Sequence, residues 1–312
     1  MITPDFIGRY LDDVKNDKLI ASIIATLNAG NIIMDIGVSQ EETQEKEDIF
    51  LGHHSIVTEA DIESQELILN YISNQFPHAW FITEENPTKK FTNKVLSKDN
   101  SLNQYHKLVF GIDPLDGTSQ YQNRLYEWGI SVGVMEDLEH TIGVIYSPSI
   151  RYGCLVYGSK SKGVFLAEMG LGAKEARVSE VKKDEDILIN FGVDILLDPK
   201  FNRFSNEVAD TYRTTTSNGS CALGLALVAS GKIDAFVQPP QRVWDWFGGY
   251  PLVEEAGGKM QFYRMENGKI FLIDKPQLED YNPESKNLGF IAGNSELVGT
   301  LSNKLVHTYR KT

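Results

Sequence analysis

Apolar residues recur at helical spacing early in the chain. Ile20, Ile23, Ile24 and Leu27 in LIASIIATLNAGNIIM (19–34) lie three or four apart, which predicts an amphipathic core helix ending near residue 35. The acidic stretch SQEETQEKED (39–48) carries no such period and reads as a solvated loop. Helical spacing resumes in VTEADIESQELILNYI at Ile68 and Ile72, with Thr58 and Asp61 placed as a capping box ahead of it. The texture then changes. FPHAWFITEEN holds a short apolar run that ends in Thr83, Glu84 and Glu85, and KLVFGI (107–112) is a second buried strand ending at a carboxylate. WGISVGVM, TIGVIYS, GCLVYG and GVFLA follow at hairpin-like separations, so the pattern predicts an antiparallel sheet and not a βαβ repeat.

Over LGAKEARVSEVKKDED (171–186) the chain becomes charged and loop-like. A boundary near 182 would divide an α+β half, residues 1–182, from an α/β half, residues 183–312. In the second half ILINF, a helical SCALGLALVAS and a strand-like IDAFVQ alternate. A further helix starts near Trp244 and closes at Ala256-Gly257-Gly258, a C-cap signature. Asn267-Gly268, between MQFYRM and IFLI, predicts a two-residue hairpin turn.

Composition narrows the class. With 312 residues, 41% of them hydrophobic and 23% charged, the chain can bury a large core in one domain or two intimate ones. A net charge of −13 disfavours nonspecific binding to nucleic acid or to an anionic membrane, and an anionic substrate would need cations between it and the protein. Cys154 and Cys221 are too few for a disulfide framework, so a reducing cytoplasm is expected. MITPDFIGRYLDD lacks the basic and apolar regions of a signal peptide. The apolar stretch 19–34 is too short to span a bilayer and is interrupted by Ser22, Thr26, Asn28 and Asn31.

Candidate chemistry gathers where strands end or helices begin: Glu84 and Glu85, Asp113 and Asp116, Asp245 in RVWDWFGG, and Asp61 at a helix start. Like charges 4 Å apart repel by about 4 kcal/mol at an effective dielectric near 20. Acids aimed at one place therefore need a cation or a raised pKa, and an all-oxygen ligand set suits Mg2+ or Mn2+, not zinc. GIDPLDGTSQ (111–120) could divide the work. Asp113 could bridge two ions and Asp116 bind one, while Pro114 stiffens the turn so that the Leu115 carbonyl can face a metal. Gly117 permits close backbone approach, and with Thr118 it would open a short helix whose N–H groups face an anion. The same decapeptide could equally be an Asp-Pro turn on the surface.

Other motifs carry less. His53-His54 has no zinc-type spacing, GLGAKE lacks the last glycine of a dinucleotide fingerprint, and NGSCALG does not match a serine-hydrolase elbow. Trp244, Trp246 and Phe247 read as helix-packing residues.

Taken together these segments resemble the inositol monophosphatase family, relatives of fructose-1,6-bisphosphatase. The resemblance runs in order over nearly the whole chain: VTEAD (57–61), Glu84-Glu85, DPLDGT (113–118), GVIYSP (143–148), Gly219-Ser220, and WD…EAGG (244–258). It implies an α+β fold, a layered α-β-α-β-α sandwich, with a homodimer as the common assembly. It also implies Glu84, Asp113 and the Leu115 carbonyl as ligands of a first Mg2+, and Asp113, Asp116 and Asp245 as ligands of a second. Glu84 would also contact a third, weaker ion, with Glu85 assisting. Thr118, with Asp61 or Glu84, is implied to orient and deprotonate a metal-bound water for in-line attack on a phosphomonoester. The substrate-facing set implied is Leu115, Asp116, Gly117, Thr118, Gly219, Ser220, Cys221, Gln238 and Asp245.

The sequence departs from the family pattern in places. Gln238 stands where a Glu usually meets an inositol hydroxyl, and Cys221 where alanine is common. Phe50-Leu51, between Lys46 and His53-His54, occupies the loop that usually carries a lysine tied to lithium sensitivity. Trp246 and Phe247 replace small residues, and Val237 replaces the Arg of nucleotide bisphosphatases. The expected function is Mg2+-dependent hydrolysis of a small polyol or sugar phosphate, inositol 1-phosphate foremost. The rivals are a fructose-1,6-bisphosphatase, a nucleotide 3′-phosphatase, and a regulatory protein that uses the fold without turnover.

Overall fold

The computed structural model describes residues 16–37, 44–48, 53–97, 101–150, 152–180, 183–192, 198–212, 214–286 and 288–310, the side chains of 44–48 and 53–57 excepted. The boundary expected near 182, the positions Phe50-Leu51, and the side chains of Lys46, His53 and His54 lie outside that description.

Helix α1 (Asp17–Ile36) is the predicted core helix. By length and composition it could cross a membrane, yet it lies against other elements of the fold with Ile23, Leu27 and Ile33 buried. Its polar interruptions are absorbed within the helix: Ser22 Oγ donates to Lys18 O at 2.8 Å and Thr26 Oγ1 to Ser22 O at 2.7 Å. Strands β1 (Gln44–Asp48) and β2 (His53–Val57) pair as a hairpin, so part of the acidic stretch expected to be a loop is extended structure. Helix α2 (Glu59–Gln75) carries the predicted Thr58/Asp61 capping box.

A seven-stranded sheet follows in chain order: β3 (Trp80–Thr83), β4 (Leu108–Asp116), then after the short helix α3 (Thr118–Gln122) β5 (Gly129–Glu136), β6 (Glu139–Ser147), β7 (Cys154–Ser159), β8 (Gly163–Glu168) and β9 (Gly172–Ala176). Only β3 and β4 are parallel; the rest is the expected antiparallel run, and β9 adds a strand where a charged loop was expected. The second half supplies β10 (Leu188–Phe191), α4 (Pro199–Ala209), β11 (Thr214–Thr216), α5 (Cys221–Ala229), β12 (Ala235–Gln241), α6 (Val243–Phe247), α7 (Gly249–Glu255), β13 (Lys259–Glu266), β14 (Lys269–Ile273), β15 (Leu288–Gly293) and α8 (Ser295–Arg310). Its strands form a mixed six-stranded sheet in the order β11-β10-β12-β15-β13-β14. Asn267 and Gly268, at φ 50 and 69, turn the β13–β14 hairpin as their sequence predicts.

The layers stack as α-β-α-β-α. Helices α1 and α2 cover one face of the seven-stranded sheet, α5, α6 and α7 lie between the two sheets, and α4 and α8 cover the far face of the other. A strip of glycines sets how deeply the middle layer sits. Gly111, Gly133 and Gly143 are register partners across β4, β5 and β6, and all face the middle layer. A Cβ at Gly133 would stand 2.6 Å from the Phe247 ring, and one at Gly143 would stand 2.2 Å from Gly248 O. The α6–α7 junction therefore rests on bare backbone, two residues beyond Asp245. Gly133→Val is expected to cost about 1–3 kcal/mol by overpacking and to lift Asp245 away from β4; calorimetric unfolding checks the first and a crystal structure of the variant the second.

Candidate active site

Asp113 and Asp116 are three residues apart, which on a regular strand would send their side chains to opposite faces. The sheet corrects this with a bulge. Asp113 pairs with Ser131 but Asp116 with Gly129, so β4 spends one extra residue across Pro114-Leu115, where proline's missing N–H costs no ladder bond. Ser64 of α2 donates to Pro114 O at 2.8 Å and holds the bulge. Both carboxylates then face α6, which brings Asp245. One oxygen from each of Asp113, Asp116 and Asp245 lies within 4.8 Å of the others.

Each acid is held by its own scaffold. Asp116 Oδ2 accepts from Ser220 Oγ at 2.7 Å and from Ala222 N, so the N-terminus of α5 grips it. Asp245 Oδ2 accepts from Arg242 N at 3.0 Å, closing the first turn of α6. Asp61 Oδ2 accepts from Thr58 N at 2.8 Å and Thr58 Oγ1 at 2.6 Å, while its Oδ1 lies 3.0 Å from Thr118 Oγ1. The Thr118 hydroxyl is also 3.0 Å from Leu115 O. Gly117, at φ 90, turns the chain between β4 and α3, and a Cβ there would press on Glu127 O at 2.9 Å. Glu84 is half-buried and lies outside the 4.8 Å group, yet near enough for its charge to act on Asp113. Gln65, not foreseen in the sequence, pins the end of β3 by bonds to Glu85 O at 2.8 Å and Glu85 N at 2.9 Å.

The electrostatics follow from burial. Asp113 is pushed well above the carboxylate range by desolvation first, then by Glu84, Asp116, Asp245 and Asp61. Burial raises Asp116 to about 6, against the hydrogen bonds from Ser220 and Ala222. Asp245 rises to about 7 through burial and the Asp116 charge, with Lys286 opposing. Asp61 rises to about 6, chiefly by burial. Such a cluster is costly unless a cation neutralises it, and its donors are hard oxygens of the kind Mg2+ takes.

Beside the acids lies a cavity of about 70 Å³, bordered by Asp116, Asn218, Cys221, Gln238, Gln241 and Asp245, with Gly219 and Ser220 also on its wall. Trp246 and Phe247 do not border it. They are buried against His140, Tyr281 and Phe262, so these departures repack the middle layer. Helix α3 reaches the 219 turn, since a Cβ at Gly219 would meet Gln120 Nε2.

Comparison with known proteins decides the lineage. The inositol monophosphatase family matches residues 15–299. The chain belongs to that family. It is 30% identical over 227 residues to the Nus factor SuhB of Xylella fastidiosa, covering 68% of this chain and 72% of that protein. It is 27% identical to the inositol-1-monophosphatase of Bacillus subtilis, covering 81% and 84%. With the fructose-1,6-bisphosphatase/inositol-1-monophosphatase of Thermotoga maritima it shares 28% identity, covering 82% and 88%. Among solved structures the fold matches SuhB of Bartonella henselae at TM-score 0.71 and 22% identity, covering 93% of this chain and 98% of that one. Ser220 is engaged on both sides: it donates to Asp116 and accepts from Leu223 N at 3.2 Å.

Proposed function

We propose that the chain is a Mg2+-dependent phosphomonoesterase acting on a small polyol or sugar phosphate, with inositol 1-phosphate the best single candidate. The observation that carries this reading is the convergence of buried Asp113 with half-buried Asp116 and Asp245 within 4.8 Å. Two or three ions would be held, by Asp113, Asp116, Asp245, Glu84 and the Leu115 carbonyl, with Mn2+ as a substitute. When bound, Mg2+ supplies Lewis acidity and charge neutralisation at the phosphoryl group. The protein's own share is positioning and proton transfer. Thr118 Oγ1, 3.0 Å from Asp61 Oδ1, holds a water by its hydroxyl, and Asp61, with a pKa near 6, takes the proton passed through it. The Gly117 and Thr118 N–H groups orient the phosphate.

The reading carries a cytoplasmic setting, which two cysteines outside any disulfide fit, and a homodimer, which sedimentation equilibrium would test. A second reading, a regulatory binding protein, draws support from the relatives named Nus factor SuhB. The net charge of −13 weighs against direct nucleic-acid binding in that role. Phosphate release from inositol, sugar and nucleotide phosphates, with and without Mg2+, separates the two. Mg2+-dependent turnover of a polyol or sugar phosphate is expected; no turnover of any ester hands the fold to the regulatory reading.

A further inference from the structure

Helix α3, which carries Thr118, is only five residues long. Bonds within it, such as Tyr121 N to Gly117 O at 3.0 Å, fix its shape but not its direction. Direction has to come from side chains that reach other elements. Among the described residues, Thr118 and Tyr121 are the side chains of α3 that make such hydrogen bonds. They stand at positions i and i+3 and so share one side of the helix. Thr118 turns to Asp61 at the start of α2, 3.0 Å away, and Tyr121 turns to the end of α1.

Tyr121 is placed as an anchor. It is 5% exposed, and its ring meets the Trp128 ring edge-on with centroids 5.4 Å apart. Trp128 also lies against Gly117, where a Cβ would stand 3.3 Å from it, so one wall supports both the turn and the helix that follows. The phenol hydroxyl donates to Gly37 O at 2.6 Å and lies 3.2 Å from Ile33 O. Both carbonyls belong to the C-terminal end of α1, where backbone acceptors outnumber helical donors. Gly37 closes that end at φ 63 and donates its own N–H to Ile33 O at 3.2 Å. Burial pushes the phenol up to about 12, with Asp61 and Glu59 adding to the rise, so the hydroxyl keeps its proton at neutral pH and stays a donor. Helix α3 also lies against β2, the strand that leads into α2 and Asp61. The tie therefore joins α1, α3 and the approach to α2 at one corner.

The Thr118 hydroxyl cannot anchor the helix and work at the same time. To hold a water and pass a proton to Asp61 it has to change partners during turnover, so the bond that keeps α3 in place must lie elsewhere. We infer that Tyr121 is a positioning residue: by tying α3 to the last turn of α1, it holds the Thr118 hydroxyl at its distance from Asp61. This rests on the phosphatase reading above.

The test is a double-mutant cycle on Mg2+-dependent hydrolysis of inositol 1-phosphate, in the wild type, Tyr121→Phe, Thr118→Val and the double variant. Phenylalanine keeps the ring against Trp128 and removes only the hydroxyl. Tyr121→Phe is expected to lower kcat by about 10-fold and to change KM by less than about twofold, because a misdirected proton path slows chemistry more than binding. In the Thr118→Val background the same change is expected to cost less than about twofold, since the hydroxyl it positions is gone. A general loss of folding would cost the same in both backgrounds. A wild-type kcat in Tyr121→Phe, a loss carried by KM, or an equal loss with and without the Thr118 hydroxyl overturns the inference. If the wild type releases phosphate from no ester, the phosphatase reading has failed. In that case, or if Thr118→Val is too slow to time, amide hydrogen exchange decides the tie alone. Exchange at Tyr121 and Asn123, whose N–H groups bond inside α3, is then expected to quicken by about 10-fold in Tyr121→Phe. Unchanged exchange there refutes the tie.

Discussion

Asp113→Asn lowers Mg2+-dependent phosphate release by at least ~10³-fold and, in the same protein stripped of metal, raises the melting temperature. The two effects have one cause. Asp113 is 1% exposed and surrounded by Glu84, Asp116, Asp245 and Asp61, so its charge is useful only when a cation is present. Asparagine keeps the shape and an acceptor for Leu115 N, which reaches Asp113 Oδ1 at 3.2 Å, but removes the charge. Relief of like-charge repulsion and of desolvation then favours the metal-free fold, while the loss of a ligand abolishes the site. Phosphate assays with Mg2+ and calorimetry in EDTA check the pair. Full activity would remove Asp113 from the ligand set. A less stable metal-free variant would mean that hydrogen bonding outweighs repulsion in the cluster.

Local features of this fold were legible because they obey local rules. The Thr58/Asp61 box, the Asn267-Gly268 turn and the antiparallel run from β4 to β8 each follow from a short stretch of residues. What could not be read is set by partners distant in the chain. The acidic stretch reads as loop, yet Gln44–Asp48 is extended because residues 53–57 supply its backbone partners. The spacing of Asp113 and Asp116 gives no hint of a shared face until the bulge opposite Gly129 and Ser131 is known. Gln65 and Ser64 act on the site from α2 and carry no motif at all. Trp246 and Phe247 stood out as departures from the family pattern, but the glycine strip beneath Phe247 and the burial of Trp246 against Phe262 and Tyr281 show that they fill the middle layer.

Without Mg2+ the protein is expected to lose stability as pH rises from about 4 to about 7, the reverse of ordinary acid denaturation. Burial lifts Asp116 and Asp61 to about 6 and Asp245 to about 7 in the folded chain, and raises Asp113 as well, against an ordinary value near 3.8 when unfolded. Between those limits the folded state binds more protons than the unfolded state, so the free energy of unfolding falls with rising pH. The stability these groups contribute is full below the unfolded value and is lost once pH passes the folded values. Mg2+ acts in the opposite sense, because it binds the deprotonated cluster: at a concentration 100 times its Kd it restores about 2.7 kcal/mol per site. Urea denaturation across this pH range, in EDTA and in saturating Mg2+, reads both arms. General self-repulsion from the net charge of −13 pushes the same way. The separating control is Asp113→Asn, which leaves that background nearly intact but flattens the slope in EDTA. A slope as steep in the variant as in the wild type would assign the effect to the surface and not to the cluster.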